Sequence, residues 1–188
     1  MAVVAVFAVL AIVKNNGIGS VPTGPGTATI TWHSAGGGVN SLPQPFSGTV
    51  AGLSLSGTAT GANPSNVTNT TATPGAPVTF PSHLHVATWT GTLGGTQFDL
   101  DVSLSIGRGA SAPAATTPGS APGITATFLV TGSFGTQPVH VTATIDPQHP
   151  DELAFSGTVG NLNVTGTVNE LQEKGTTGTA TASFNVTK

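Results

Sequence analysis

Four stretches of the chain repeat one form: FSGTVAG at 46–52, WTGTLGG at 89–95, VTGSFGT at 130–136 and FSGTVGN at 155–161. Each reads apolar, Ser/Thr, Gly, Ser/Thr, apolar, then a Gly-containing turn. Each is followed by a second alternating run: Leu53 and Leu55; Phe98, Leu100, Val102, Leu104 and Ile106; Val139, Val141, Ala143 and Ile145; Leu162, Val164 and Val168. Successive strand side chains point to opposite faces, so alternation on both sides of a Gly-rich turn predicts a β-hairpin. Turn pairs such as Gly94-Gly95 and Gly160-Asn161 accept the positive φ that tight hairpin turns demand. Alternation also puts Gly48, Gly91, Gly132 and Gly157 on the inward face. Glycine weakens a strand there, so a bulky neighbour such as Phe46, Trp89 or Phe155 is expected to fill each gap.

Two more runs complete the count. Ala28, Ile30 and Trp32 alternate with Thr27, Thr29, Thr31 and His33, and TATASFNVT (179–187) turns Ala180, Ala182, Phe184 and Val186 inward. The expectation is an all-β domain of about ten antiparallel strands, a β-sandwich or a Greek-key or up-and-down barrel. Residues 61–82 and 107–122 are rich in Pro, Ala, Ser, Thr and Asn and are expected to be long loops, since hairpins of one type flank them. Residues 20–188 then form one β-domain, and residues 1–19 an apolar segment with its linker.

That segment, AVVAVFAVLAIV at 2–13, carries no polar side chain before Lys14. As a helix it would rise about 18 Å, short of the roughly 30 Å hydrocarbon core of a bilayer. It suits a signal-peptide apolar region in length but lacks a charged start. Val3, Val4, Val6, Phe7, Val9, Leu10, Ile12 and Val13 are apolar and mostly strong strand formers, which suits a strand buried on both faces. Full burial of these side chains would contribute on the order of 10–20 kcal/mol before ordering entropy is subtracted. An apolar strand ahead of a Thr-rich β-domain is similar in design, though not in sequence, to the pilins that polymerise by donor-strand insertion. Such head-to-tail contacts do not close and so generate filaments. Membrane anchoring through residues 2–13 is the other expected use.

Charged residues make up 6% of the chain, against roughly 25% in ordinary soluble domains. Four basic and seven acidic residues leave a formal charge of −3, too weak and scattered to hold nucleic acid. There is no cysteine, which excludes disulfides, thiol catalysis and cysteine-based metal centres. Sequons at Asn66, Asn69, Asn163 and Asn185 point to an extracellular or cell-surface glycoprotein, with Asn163 and Asn185 on outward strand positions.

No G-x-S-x-G elbow, phosphate loop or dinucleotide fingerprint is present, so no enzymatic role and no organic cofactor are expected. The histidines are the best candidate ligands. His83 and His85 in HLH would share one strand face about 7 Å apart, a usable chelating spacing for a metal ion. His33, His140 or Asp99 could supply a third ligand. The register carried back from Trp89 turns His83 and His85 inward unless a bulge intervenes. Asp99 and Asp101 alternate outward, most simply as a solubilising face. The DPQHPDE turn (146–152) and NELQEKG read as charged hairpin tips. Trp32 beside His33 is the candidate aromatic platform for sugar. The leading expectation is a structural subunit of an extracellular, pilus-like filament or surface layer, its partners copies of itself. The alternatives are a secreted or anchored metal- or ligand-binding domain using His83 and His85, and a carbohydrate-binding or adhesive domain.

Overall fold

A computed structural model describes residues 24–34, 42–61, 84–108, 124–146 and 149–188. They form ten strands: β1 (Gly24–His33), β2 (Gln44–Val50), β3 (Leu53–Gly61), β4 (Leu84–Leu93), β5 (Thr96–Arg108), β6 (Ile124–Phe134), β7 (Gln137–Asp146), β8 (His149–Val159), β9 (Leu162–Lys174) and β10 (Thr177–Thr187). Each pairs antiparallel with its neighbours in sequence, and β1 pairs with β10 from Gly24↔Val186 to His33↔Thr177. The sheet is therefore a closed up-and-down barrel. This corrects the expectation of a sandwich and that of a Greek key. Alternation looks the same in all three; what separates them is the seam between the first and last strands, which no local pattern encodes.

Among the described residues the interior is apolar except for Gln44, with Ile30, Trp32, Leu93, Leu100, Phe134 and Val141 among the most deeply buried. Outward positions are mostly Thr and Ser, paired in places across strands, as Thr31 with Thr179 and Ser56 with Thr92. Polar outside and apolar inside is the inverse of a membrane-spanning barrel. Among the described residues, no helix is long and apolar enough to cross a membrane.

Large and small side chains alternate along the hydrogen-bonded rows. Phe46 lies opposite Gly57, Gly57 opposite Gly91, and Gly91 opposite Phe98. The two rings meet over the glycine pair, their centroids 6.3 Å apart and their planes 19° from parallel. In a second row Gly26, Phe184, Gly166 and Phe155 face one another in turn. A Cβ on Gly166 would fall on the Phe155 ring, and one on Gly178 on the Trp32 indole.

The expected filling of the repeat glycines needs correction. At all four the neighbouring backbone itself occupies the space. Gly91, against the Ser56 carbonyl, also lies beneath the Phe98 ring. At the other three, Gly48, Gly132 and Gly157, a Cβ would fall on the carbonyl oxygens of Thr29, Asp99 and His140 respectively. Phe46 and Phe155 serve Gly57 and Gly166 instead, while Trp89 faces Ala59 and Leu100.

The barrel has two unlike ends. At one end two-residue turns join β2 to β3, β4 to β5, β6 to β7 and β8 to β9. The first residue of each turn donates its N–H to the strand beyond: Ala51 to Thr27, Gly94 to Ser54, Gly135 to Gln97 and Gly160 to Pro138, at 2.7–2.8 Å. The repeat seen in sequence is thus a descending strand plus the turn that ties it to the strand preceding its own hairpin. Segments 62–83 and 109–123 leave and re-enter at the opposite end, where the two-residue turn Gly175-Thr176 also joins β9 to β10. Those expected loops lie outside the described residues, but Gly61 and residues 107–108 belong to strands. The apolar segment 2–13 lies outside them too, as do Asn66, Asn69 and His83.

Candidate functional site

The most chemically specific side-chain cluster sits on the outer face of β4 and β5. A β-bulge there shifts the register between His85 and Ala87. Val86 and Ala87, consecutive in sequence, both pack against the core. The extra residue turns His85 outward, where it lies opposite Ser103 and diagonally from Asp101. Of the two expected alternatives for His85, inward or re-aimed by a bulge, the structure takes the bulge. Bulges of this type re-aim a side chain at the cost of one ladder position.

Three polar atoms converge at the bulge. The Thr88 hydroxyl donates to Asp101 Oδ1 at 2.9 Å and lies 3.2 Å from His85 Nε2. Nε2 is 3.3 Å from the same Asp101 oxygen, with the two side chains 43% and 60% exposed. With its own proton given to Asp101, the Thr88 oxygen is free to accept from Nε2–H. The contact is solvent-facing, so its effect on stability is small, of the order of 0.2–1 kcal/mol.

The other candidate ligands are not brought here. His33 is exposed on β1 with Nδ1 3.2 Å from the Thr177 hydroxyl, and His140 is exposed on β7, opposite Thr131 and Thr158. Strands β2 and β3 separate His33 from β4, and β5 and β6 separate His140 from it. Among the described residues no group of three His, Cys, Asp or Glu converges. The third group at His85 is a hydroxyl, from Thr88, and the carboxylate is Asp101 rather than Asp99.

Asp99 lies elsewhere, with Gln97, Thr90, Thr92 and Ser133, around an open depression of about 480 Å³ on the outer face. Such a rim can hydrogen-bond a polyol or sugar, but its one aromatic residue, Phe98, is 3% exposed and belongs to the core. Trp32 and Trp89 are each 2% exposed and belong to the core, so Trp32 is not a platform. Asn163 and Asn185 are exposed on adjacent strands, Asn163 opposite Thr187 and Asn185 opposite Thr165. Each sequon asparagine therefore faces the hydroxyl residue of the other sequon.

The pairing of Thr88 with Asp101 follows from counting outward from the two-residue turn at Gly94-Gly95, beginning at Leu93↔Thr96. That signal was present in the sequence. The bulge that delivers His85 to the pair has no such signature. In comparisons with known proteins the chain matches no family model, no curated protein and no solved structure.

Proposed function

We propose that the chain is a non-enzymatic structural subunit of an extracellular filament or surface layer, joined to neighbouring copies through the apolar segment 2–13. The observation that carries this is the polarity of the barrel. β1 enters beside the end of β10, with Gly24 opposite Val186, at the end that carries the tight turns. A chain held by residues 2–13 would present segments 62–83 and 109–123, rich in Thr, Pro and Ala, on the far side. Rigid barrels commonly use one end in this way, with irregular segments displayed from a fixed scaffold.

Barrel closure shapes how the joining works. Each described strand already has two hydrogen-bonded neighbours, so the ladder offers no open edge for a donor strand. Segment 2–13 of one copy would enter a neighbour by parting the β1–β10 seam, or associate outside the ladder with its counterparts from other copies. The described core is complete without that segment.

Deletion of residues 1–14 tests the proposal. The truncated chain is expected to unfold cooperatively in urea and to run as a monomer in light scattering, while the full chain forms fibres or arrays under the electron microscope. Fibres from the truncated chain, or a full chain that stays monomeric at every concentration, would overturn it.

A further inference from the structure

The bulge on β4 brings a nitrogen and two oxygens into one small triangle, and we propose that this triangle is a binding site for a first-row divalent transition cation such as zinc or copper. It stands apart from the assembly role and does not depend on it. The edges of the triangle are 2.9 Å from Thr88 Oγ1 to Asp101 Oδ1, 3.2 Å from Thr88 Oγ1 to His85 Nε2, and 3.3 Å from His85 Nε2 to Asp101 Oδ1. A cation held at about 2.0–2.2 Å by nitrogen and oxygen ligands separates adjacent ligands by about 2.9–3.5 Å, the range running from octahedral to tetrahedral coordination. All three edges fall inside it. The ligand atoms are therefore already spaced as one face of a coordination polyhedron.

The chemistry of the donors selects the class. An imidazole nitrogen beside a carboxylate oxygen suits zinc and copper better than calcium or magnesium, which prefer sets made of oxygen alone. To ligate the cation the neutral imidazole presents the Nε2 lone pair with its ring proton on Nδ1, and the Asp101 carboxylate supplies the compensating charge. Water fills the outward positions, because His85 and Asp101 are both solvent-facing. The bulge is what makes the site. Without the extra residue the register that pairs Thr88 with Asp101 would turn His85 toward the core.

Calorimetric titration of the untagged full-length protein with zinc chloride tests this, with far-UV circular dichroism confirming the fold of each variant. One zinc per chain is expected in the wild type. Asp101→Asn, which keeps the shape of the side chain and its bond to Thr88, should weaken binding at least ten-fold, as should His85→Ala. Thr88→Val should weaken it several-fold, and His33→Ala and His140→Ala should leave it unchanged. No zinc binding by the wild type would overturn the proposal. So would unchanged affinity in Asp101→Asn, or loss of binding in His83→Ala with Asp101→Asn unaffected, since the site would then be the HLH pair alone.

Discussion

The two ends of the barrel are built by different rules. At the tight-turn end Val50, Leu93, Phe134, Val159 and Leu162 flank the turns, none more than 3% exposed. Each turn there is anchored by a main-chain hydrogen bond to the strand that precedes its own hairpin. At the other end Leu42 and Leu84 are 37% and 40% exposed, and Phe128 and Ile145 are only partly buried. The difference shows where the fold is specified. Sealing depends on turns short enough to fix register, because a one-residue slip would send every inward side chain to the solvent. The opposite end carries the long connections, where length is weakly constrained, beside one two-residue turn, Gly175-Thr176, whose Thr176 carbonyl accepts from Ser34 N–H.

This contrast can be broken most severely at a repeat glycine. Gly157→Val would drive a branched side chain into the backbone of β7 at His140 and Val141, which cannot yield without parting β7 from β8. The expected loss is about 3 kcal/mol or more, or failure to fold, read as the shift in urea midpoint. Gly157→Val as stable as the wild type would mean that these strands are not so closely apposed.

A smaller effect is expected at a turn. Gly52 has φ of +78° and open space where an added methyl group would sit, so Gly52→Ala isolates the cost of the left-handed backbone. That cost is about 1–2 kcal/mol. The adjoining Ala51 already adopts φ of +48°, so Ala51→Gly should be neutral or slightly stabilising in the same assay. The smallest destabilisation belongs to the far end. Gly61 and Ala87 are paired, so the ends of segment 62–83 are held together by the sheet. Shortening that segment from twenty-two residues to eight should change stability by only about 1 kcal/mol, through closure entropy. A much larger loss would show that the segment contributes to the fold as the tight turns do.

The candidate site divides in the same way as the ends. Asp101 and Thr88 are placed by a two-residue turn and strict alternation, both visible in the residues themselves. His85 reaches them only because Val86 is inserted into the ladder, with both Val86 and Ala87 directed at the core. Nothing in HLHVATW marks which residue the ladder will skip. Ala87 pairs with Val102 and Trp89 with Leu100, so the skipped residue is set by how β4 pairs with β5 and not by β4 alone.

By itself the sequence determined the strands, their inward faces and the tight turns, because period-two alternation and Gly-centred turns are local and act within a single hairpin. It also determined which residues line the interior, from Ile30 in β1 to Val186 in β10. Only the tertiary structure decided that the hairpins close into a barrel, that Phe46 and Phe98 meet over Gly57 and Gly91, and that His85 stands beside Asp101. The first two depend on contacts between strands that are not consecutive, closure above all on a β1–β10 seam that forms only once every intervening hairpin is in register, and the third on where the β4–β5 ladder bulges.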